Sequence, residues 1–312
     1  MTLFLIIFTF FTIFTLFTIF ISSPIKQKTE FTISRGAGVA SVAVGLQAND
    51  LVYSKTLFRA SVALFGGRVQ AGVYDLPRGA SVWKLARKFA RGDIAATTIT
   101  VPEGLTVRQI ENLLNVSGAA CKLKFGEGDL FPNTYTIARG ASNCMIISLM
   151  MDKMTAVKRG WENSGRHLPA PLKDWNEIIT LASIVQKETP RVAEMPIVAS
   201  VYMNRLRKRM RLQADPTVVY AITNRLGDMQ GKPLLRSDLI EKSPYNTYMN
   251  YGLPVGPIAN VGADAIAAVL NPADTNYLYF VADGTGGHKF SDTYQQHQAN
   301  HQAWREIKKG KR

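Results

Sequence analysis

The hydrophobic pattern along the chain changes character three times. Residues 3–22, LFLIIFTFFTIFTLFTIFIS, are apolar with no charged position. At helical rise, twenty residues span roughly 30 Å, about one bilayer core. The pattern predicts a transmembrane anchor over residues 1–23. No small-residue cleavage site follows, so the reading is a retained anchor rather than a signal peptide. Thr9, Thr12, Thr15 and Thr18 recur at every third position. They suit a helix-packing face or back-bonding to helix carbonyls. Lys26, Lys28 and Arg35 follow the span and no basic residue precedes it. The positive-inside rule alone would hold the body in the cytoplasm, but long domains translocate largely regardless of charge.

Beyond the anchor the chain alternates short helical and strand patterns. Phe31–Ile33 reads as a strand. Val39–Leu46 and Leu57–Leu64 read as amphipathic helices, and Gly72–Leu76 as a returning strand closed by Pro77-Arg78-Gly79. Ser81 is placed to cap a helix over 82–90. These elements make a small domain over 30–95. Residues 96–135 form a connecting region: a strand at Thr97–Val101, a turn at Pro102-Glu103-Gly104, a helix capped by Thr106, and a packed connection at Asp129–Tyr135. A larger domain fills 136–312, with a helix and polar linker over 145–168. It ends with a buried strand at Tyr277–Val281, a turn at 284–287, a partner strand at His288–Phe290 and a helix over 293–309.

The densest signal lies between Asp174 and Thr217. Asp174 and Glu177 have capping-box spacing, and Pro190 marks a stop. Ile178, Leu181 and Val185 share one helical stripe, and Glu188 takes its next place. A carboxyl group thus stands where an apolar side chain is expected, at a helix C-terminus. Burial and the negative end of the helix dipole both disfavour ionisation. A carboxyl that keeps its proton near neutral pH is what a general acid requires. The plain alternative is a solvated glutamate at a helix end, with Lys187 its solvated neighbour. Val198, Val201 and Tyr202 mark a second helix, a basic run covers Arg205–Arg211, and Asp215-Pro216-Thr217 makes a turn that starts a helix at Val218.

Composition narrows the classes. The chain has 312 residues, 46% hydrophobic, with 37 Lys and Arg against 23 Asp and Glu, a net charge of +14. A basic surface suits a polyanion such as nucleic acid, anionic lipid or an acidic wall polymer. No zinc-finger spacing or RNA-binding motif supports nucleic acid. Cys121 and Cys144 are the two cysteines. One bridge in an oxidising compartment and two buried thiols both fit. His297 and His301 stand four apart but lack a third ligand, so no metal and no cofactor is expected. No G-x-S-x-G elbow or phosphate loop is present. Ser243–Tyr248 and Gly252–Ile258 combine aromatic, amide and turn residues. Such a mix suits a sugar site or a plain structural loop.

Taken together, LASIVQKET, VASVYMNRLRKRMRLQADPTVVYAI, SPYNTY, GLPVGPI and YLYFVADGTGGHKF, in that order, resemble the YceG-like endolytic murein transglycosylases. AGVYDLPRGAS, TVPEGLT and LFPNTY extend the likeness over most of residues 30–305. The resemblance implies an α+β chain: an N-terminal transmembrane helix, a small LysM-like domain and a mixed α/β catalytic domain. It implies an inner-membrane, single-pass enzyme with its catalytic domain in the periplasm. Peptidoglycan glycan strands are the implied substrate, cut to 1,6-anhydro-MurNAc ends, with peptidoglycan synthases as candidate partners. The family often has two glutamates in the first motif; here it reads Gln186-Lys187-Glu188-Thr189, and the catalytic glutamate maps to Glu188. Gln213, Thr217, Tyr245, Asn246 and Tyr248 are the candidate sugar-contacting or Glu-orienting residues. Asp215 is read as a turn and helix cap rather than a second acid.

Overall fold

The computed structural model describes residues 24–223 and 225–310. The expected anchor at 1–23 lies outside them. Among the described residues no helix is long and apolar enough to cross a membrane. The fold is α+β, and the chain divides into two compact units. One runs to Thr98 and includes Thr136–Ser142; the other holds Ile99–Tyr135 and everything from Asn143 onward. Most of the expected connecting region therefore packs as part of the second unit.

The first unit has the order β1 (Thr29–Ile33), α1 (Val39–Ala48), α2 (Lys55–Ala63), β2 (Gly72–Leu76), α3 (Val82–Arg91). β1 and β2 pair antiparallel from Thr29 opposite Leu76 to Ile33 opposite Gly72. That register sets Glu30 against Asp75, a like-charge pair that would weaken the ladder. Arg139 answers it, reaching Glu30 at 2.9 Å and Asp75 at 2.7 Å, and Lys28 meets Asp75 at 3.0 Å. The core gathers Leu46, Phe58, Val62, Tyr74 and Phe89, with Phe89 edge-on to Tyr74 at 4.6 Å. Ser54 and Ser81 cap α2 and α3 by accepting the backbone N–H three residues on.

β3 (Ala96–Thr100) and β4 (Thr134–Ala138) form a sheet of their own. The pattern around Pro132 hides β4, because only Tyr135 and Ile137 of its five residues turn inward.

The second unit opens with α4 (Val107–Leu114), α5 (Gly118–Cys121) and α6 (Cys144–Glu162). Thr106 and Gln109 close a full capping box on α4. A disulfide joins Cys121 to Cys144, with Cα atoms 5.4 Å apart. At the centre is α7 (Trp175–Glu188), followed by α8 (Met195–Arg207), α9 (Asp215–Ile222) and α10 (Ala263–Leu270). Every residue of α7 from Ile178 to Val185 is buried. A helix apolar on all sides is a core helix, and α8 and α10 pack against it. β5 (Tyr279–Ala282), β6 (His288–Ser291) and α11 (Tyr294–Gly310) complete the unit, β5 and β6 as an antiparallel hairpin.

Several expectations shift in detail. Asp174 caps α7 by accepting the Glu177 N–H at 2.8 Å, but the Glu177 carboxylate turns to the Lys173 N–H at 2.7 Å, so the box is only half closed. The strand expected from Tyr277 begins at Tyr279 and is half-buried. α9 begins at Asp215 rather than Val218, because Pro216 fits the first helical turn. Asp215 is its first residue rather than the expected cap, because Ala214 takes the N-cap position.

Candidate active site

Glu188 is the last residue of α7, and Thr189 ends the helix in extended conformation. The apolar stripe that brings Ile178, Leu181 and Val185 into the core carries the Glu188 carboxyl with it. The Tyr202 hydroxyl, 1% exposed on α8, donates to Glu188 Oε1 at 2.5 Å. Burial pushes the Glu188 carboxyl up to about 7; the Tyr202 bond and the Arg205 charge pull the other way, and Asp215 adds to the rise. The group therefore exchanges its proton around neutral pH. With Oε1 occupied as an acceptor, Oε2 is left to carry that proton.

Arg205 belongs to the basic run but not to its solvated face. It is 8% exposed, donating from Nε to the Leu278 carbonyl and from Nη1 to the Leu212 carbonyl, both at 2.6 Å. It thereby ties α8 to the segments on either side of the site. Lys187, expected as a solvated neighbour, is half-buried, and its ammonium donates to the Gly104 carbonyl at 3.3 Å. Burial lowers its pKa. Gln186, in the place of the family's first glutamate, accepts the Gly262 N–H at 3.2 Å, an acceptor's task that an amide oxygen performs.

The segment after Glu188 is clamped. The Thr189 hydroxyl donates to Glu194 at 3.4 Å, and Glu194 Oε2 meets His288 Nδ1 at 2.8 Å. Arg191 donates to the Thr285 carbonyl at 2.6 Å, which seats the β5–β6 turn on this clamp. Phe280 of β5 stands edge-on to Tyr202 at 5.9 Å and to His288 at 5.2 Å. The hairpin thus backs the tyrosine that holds the acid.

The other candidates separate into two groups. Residues 213–217 and 246–248 are stitched together: the Gln213 N–H donates to the Thr247 carbonyl at 3.2 Å and the Ala214 N–H to Thr247 Oγ1 at 3.0 Å. Thr217 is fully buried and its hydroxyl donates to the Ala214 carbonyl at 2.7 Å. Asn246 is also fully buried, and its amide donates to the Leu239 and Glu241 carbonyls. Tyr245 packs edge-on to Tyr220 at 4.8 Å in the main core. These three position the loop. Gln213 and Tyr248 reach the accessible side: Gln213 is exposed, and half-buried Tyr248 donates to Asp215 Oδ1 at 2.5 Å. Burial raises the Tyr248 pKa, with Asp215 and Glu188 adding to it.

Glu127 is a second carboxyl pushed up to about 7 by burial. It accepts from the Val107 N–H at 2.9 Å, Asn260 at 3.3 Å and Tyr220 at 3.3 Å, so its oxygens are spent on holding loops. It lines a cavity of 550 Å³ with Asp174 and Trp175, at the N-terminal end of α7. Thirteen helical rises, roughly 20 Å, separate Trp175 from Glu188. Tyr202, Arg205, Glu194 and Asn260 carry no sequence signal for these roles. Tyr202 and Arg205 lie on the Glu188 side of α8, which only the packing reveals.

The chain matches known proteins over most of its length. The YceG-like family model covers residues 31–303. The chain belongs to the YceG-like family. A Bacillus subtilis (strain 168) protein named endolytic murein transglycosylase is 31% identical over 308 residues, covering 87% of this chain and 83% of its own length. A Streptococcus pneumoniae (strain D39) protein of the same name is 28% identical over 70% of this chain and 47% of its own length. Among solved structures, a yceG-like protein from Listeria monocytogenes superposes with a TM-score of 0.57 at 28% identity, covering 88% of this chain and 98% of that one.

Proposed function

We propose that the protein is an endolytic peptidoglycan lytic transglycosylase with Glu188 as its single general acid and base. The observation that carries the reading is that the Glu188 carboxyl, half-buried at the end of α7, is held by the Tyr202 hydroxyl, while burial pushes its pKa up to about 7. Protonated Oε2 donates to the oxygen that links MurNAc C1 to the next GlcNAc. The C1–O bond breaks and its electron pair stays on that oxygen. The MurNAc C6 hydroxyl attacks C1, closes a 1,6-anhydro ring and returns its proton to Glu188. No water is consumed. A hydrolysing glycosidase needs a second carboxylate to act as nucleophile or to activate water. Here the substrate supplies the nucleophile, so one carboxyl serves both steps.

The setting follows from the same reading. The apolar segment at 3–22 anchors the chain in the inner membrane, with the catalytic unit in the periplasm and nascent glycan strands its substrate. The disulfide suits such an oxidising compartment. The β-α-α-β order of the first unit supports a LysM-like role in holding glycan. Cutting strands internally limits their elongation and sets the enzyme beside peptidoglycan synthases.

The test is digestion of uncrosslinked glycan strands by the full chain in detergent, wild type beside Glu188→Gln, with mass analysis of the new ends. Internal cuts with anhydro ends, absent in the variant, are expected. Reducing ends would overturn the transglycosylase reading. Glycan bound but uncut by both proteins would replace it with a binding role.

A further inference from the structure

Asp215 is the carboxylate whose charge acts on Glu188. It is the first residue of α9, just after the Ala214 N-cap, where its charge suits the helix end. Its side chain is exposed, but it is not loose. Tyr248 donates to Oδ1 at 2.5 Å, and among the described residues Oδ2 has no partner. The stitching of 213–214 and Thr217 to Thr247 fixes the backbone on both sides of this pair. Asp215 lies near enough to Glu188 for its charge to hold the Glu188 proton on. Tyr248 feels both carboxylates. Two carboxyl groups close enough to interact repel each other, a cost that serving the end of α9 does not require.

We infer that Asp215 is a second catalytic residue: its carboxylate, fixed by Tyr248, faces the anomeric carbon and stabilises the positive charge that grows there as the glycosidic bond breaks. It forms no bond and takes no proton. The Glu188 proton still goes to the leaving oxygen, the C6 oxygen still supplies the pair that forms the new bond to C1, and its proton returns to Glu188. The inference rests on the transglycosylase reading and adds the group that reading lacks, a fixed negative charge at the reacting carbon. Arg205 and Tyr202 on α8, Tyr248 on its loop and Asp215 on α9 are the charged and titratable groups around the Glu188 carboxyl.

The experiment measures glycan cleavage by the full chain across pH, with strand binding measured separately, for wild type, Asp215→Asn, Asp215→Glu and Tyr248→Phe. Asp215→Asn is expected to cut about a hundredfold more slowly, the scale of losing one fixed charge-stabilising group. Its binding should be retained and its residual product should keep anhydro ends. Glu188 must be protonated to act, and removing a neighbouring negative charge lets it lose its proton sooner. The alkaline limb of the Asp215→Asn profile should therefore move to lower pH. Asp215→Glu should restore part of the rate and return the limb. Tyr248→Phe should slow cleavage about tenfold with the limb in place, since the charge stays and only its fixing is lost. A wild-type rate in Asp215→Asn, an unmoved limb, or binding lost in step with rate would overturn the inference. If Asp215→Asn does not fold, an unchanged rate in Tyr248→Phe overturns it instead. Reducing ends from the wild type, or full activity in Glu188→Gln, would sink the parent reading separately.

Discussion

At the scale of single residues, the site turns on a contest between burial and hydrogen bonding at one carboxyl group. Burial wins, so Glu188 holds its proton to about pH 7, while the Tyr202 hydroxyl stabilises the ionised form that the proposed return step needs. Tyr202→Phe removes the bond that favours ionisation. The Glu188 pKa should rise further and the alkaline limb of activity move to higher pH, opposite to the shift expected for Asp215→Asn. The rate should fall about tenfold to a hundredfold, on the scale of general acid–base contributions. A pH–rate profile beside wild type checks both.

Stability carries the same signature. The folded carboxyl binds its proton up to about pH 7, whereas an unfolded glutamate releases it near its ordinary value of 4.5. Its contribution to stability is therefore fully present below about pH 4.5 and lost as pH rises through 7. Glu188→Gln does not titrate. Its stability relative to wild type should climb from pH 5 to pH 8 by about 2–3 kcal/mol, read from denaturant midpoints at each pH.

At the scale of elements, α7 joins two functions that its sequence separates cleanly. Its N-terminus is set by Asp174, its middle is buried on all sides, and its last residue is the acid. Asp174→Ala removes an N-cap and should cost about 1 kcal/mol in denaturant unfolding. The lost bond is at the far end of a helix pinned by α8 and α10, so cleavage rate should stay near wild type. α8 contributes differently. Tyr202 touches the acid, and Arg205, one turn on, ties down the Leu212 and Leu278 carbonyls. One helix face therefore orients the acid and anchors the loops that border it. The β5–β6 hairpin packs behind Tyr202 and is held by the Arg191, Glu194 and His288 clamp.

At the scale of the molecule, two compact units have different devices of stability. The first relies on an aromatic core around Phe89 and on cations that neutralise Glu30 and Asp75. The second has a larger apolar core around α7 and a disulfide between Cys121 and Cys144, 23 positions apart in the chain. Replacing both cysteines by alanine should lower stability by about 3 kcal/mol, the loop-closure scale for such a bridge. The bridge lies on α5 and the start of α6, away from Glu188, so cleavage should persist below the lowered melting point. Thermal melts with and without reductant, beside the double variant, check this.

The chain by itself determined the local elements and singled out Glu188 as the candidate acid. Helix stripes, the Ser81, Thr106 and Asp174 caps and the glycine turns are set by interactions within a few residues, so periodicity and spacing reveal them. Glu188 was legible because a polar residue on an apolar stripe breaks a pattern that the reader already holds. What surrounds Glu188 was not legible. Tyr202 reads as one more apolar position, Arg205 as one of five basic neighbours, and Asp215 as a turn residue. Thr217 and Asn246 read as candidate sugar-contacting or Glu-orienting residues, and their side chains donate to backbone carbonyls. Only the packing of α8, α9 and the 246–248 loop against the end of α7 decides which of these side chains meet. Burial and hydrogen-bond partners arise between segments distant in sequence, and neither leaves a period along the chain.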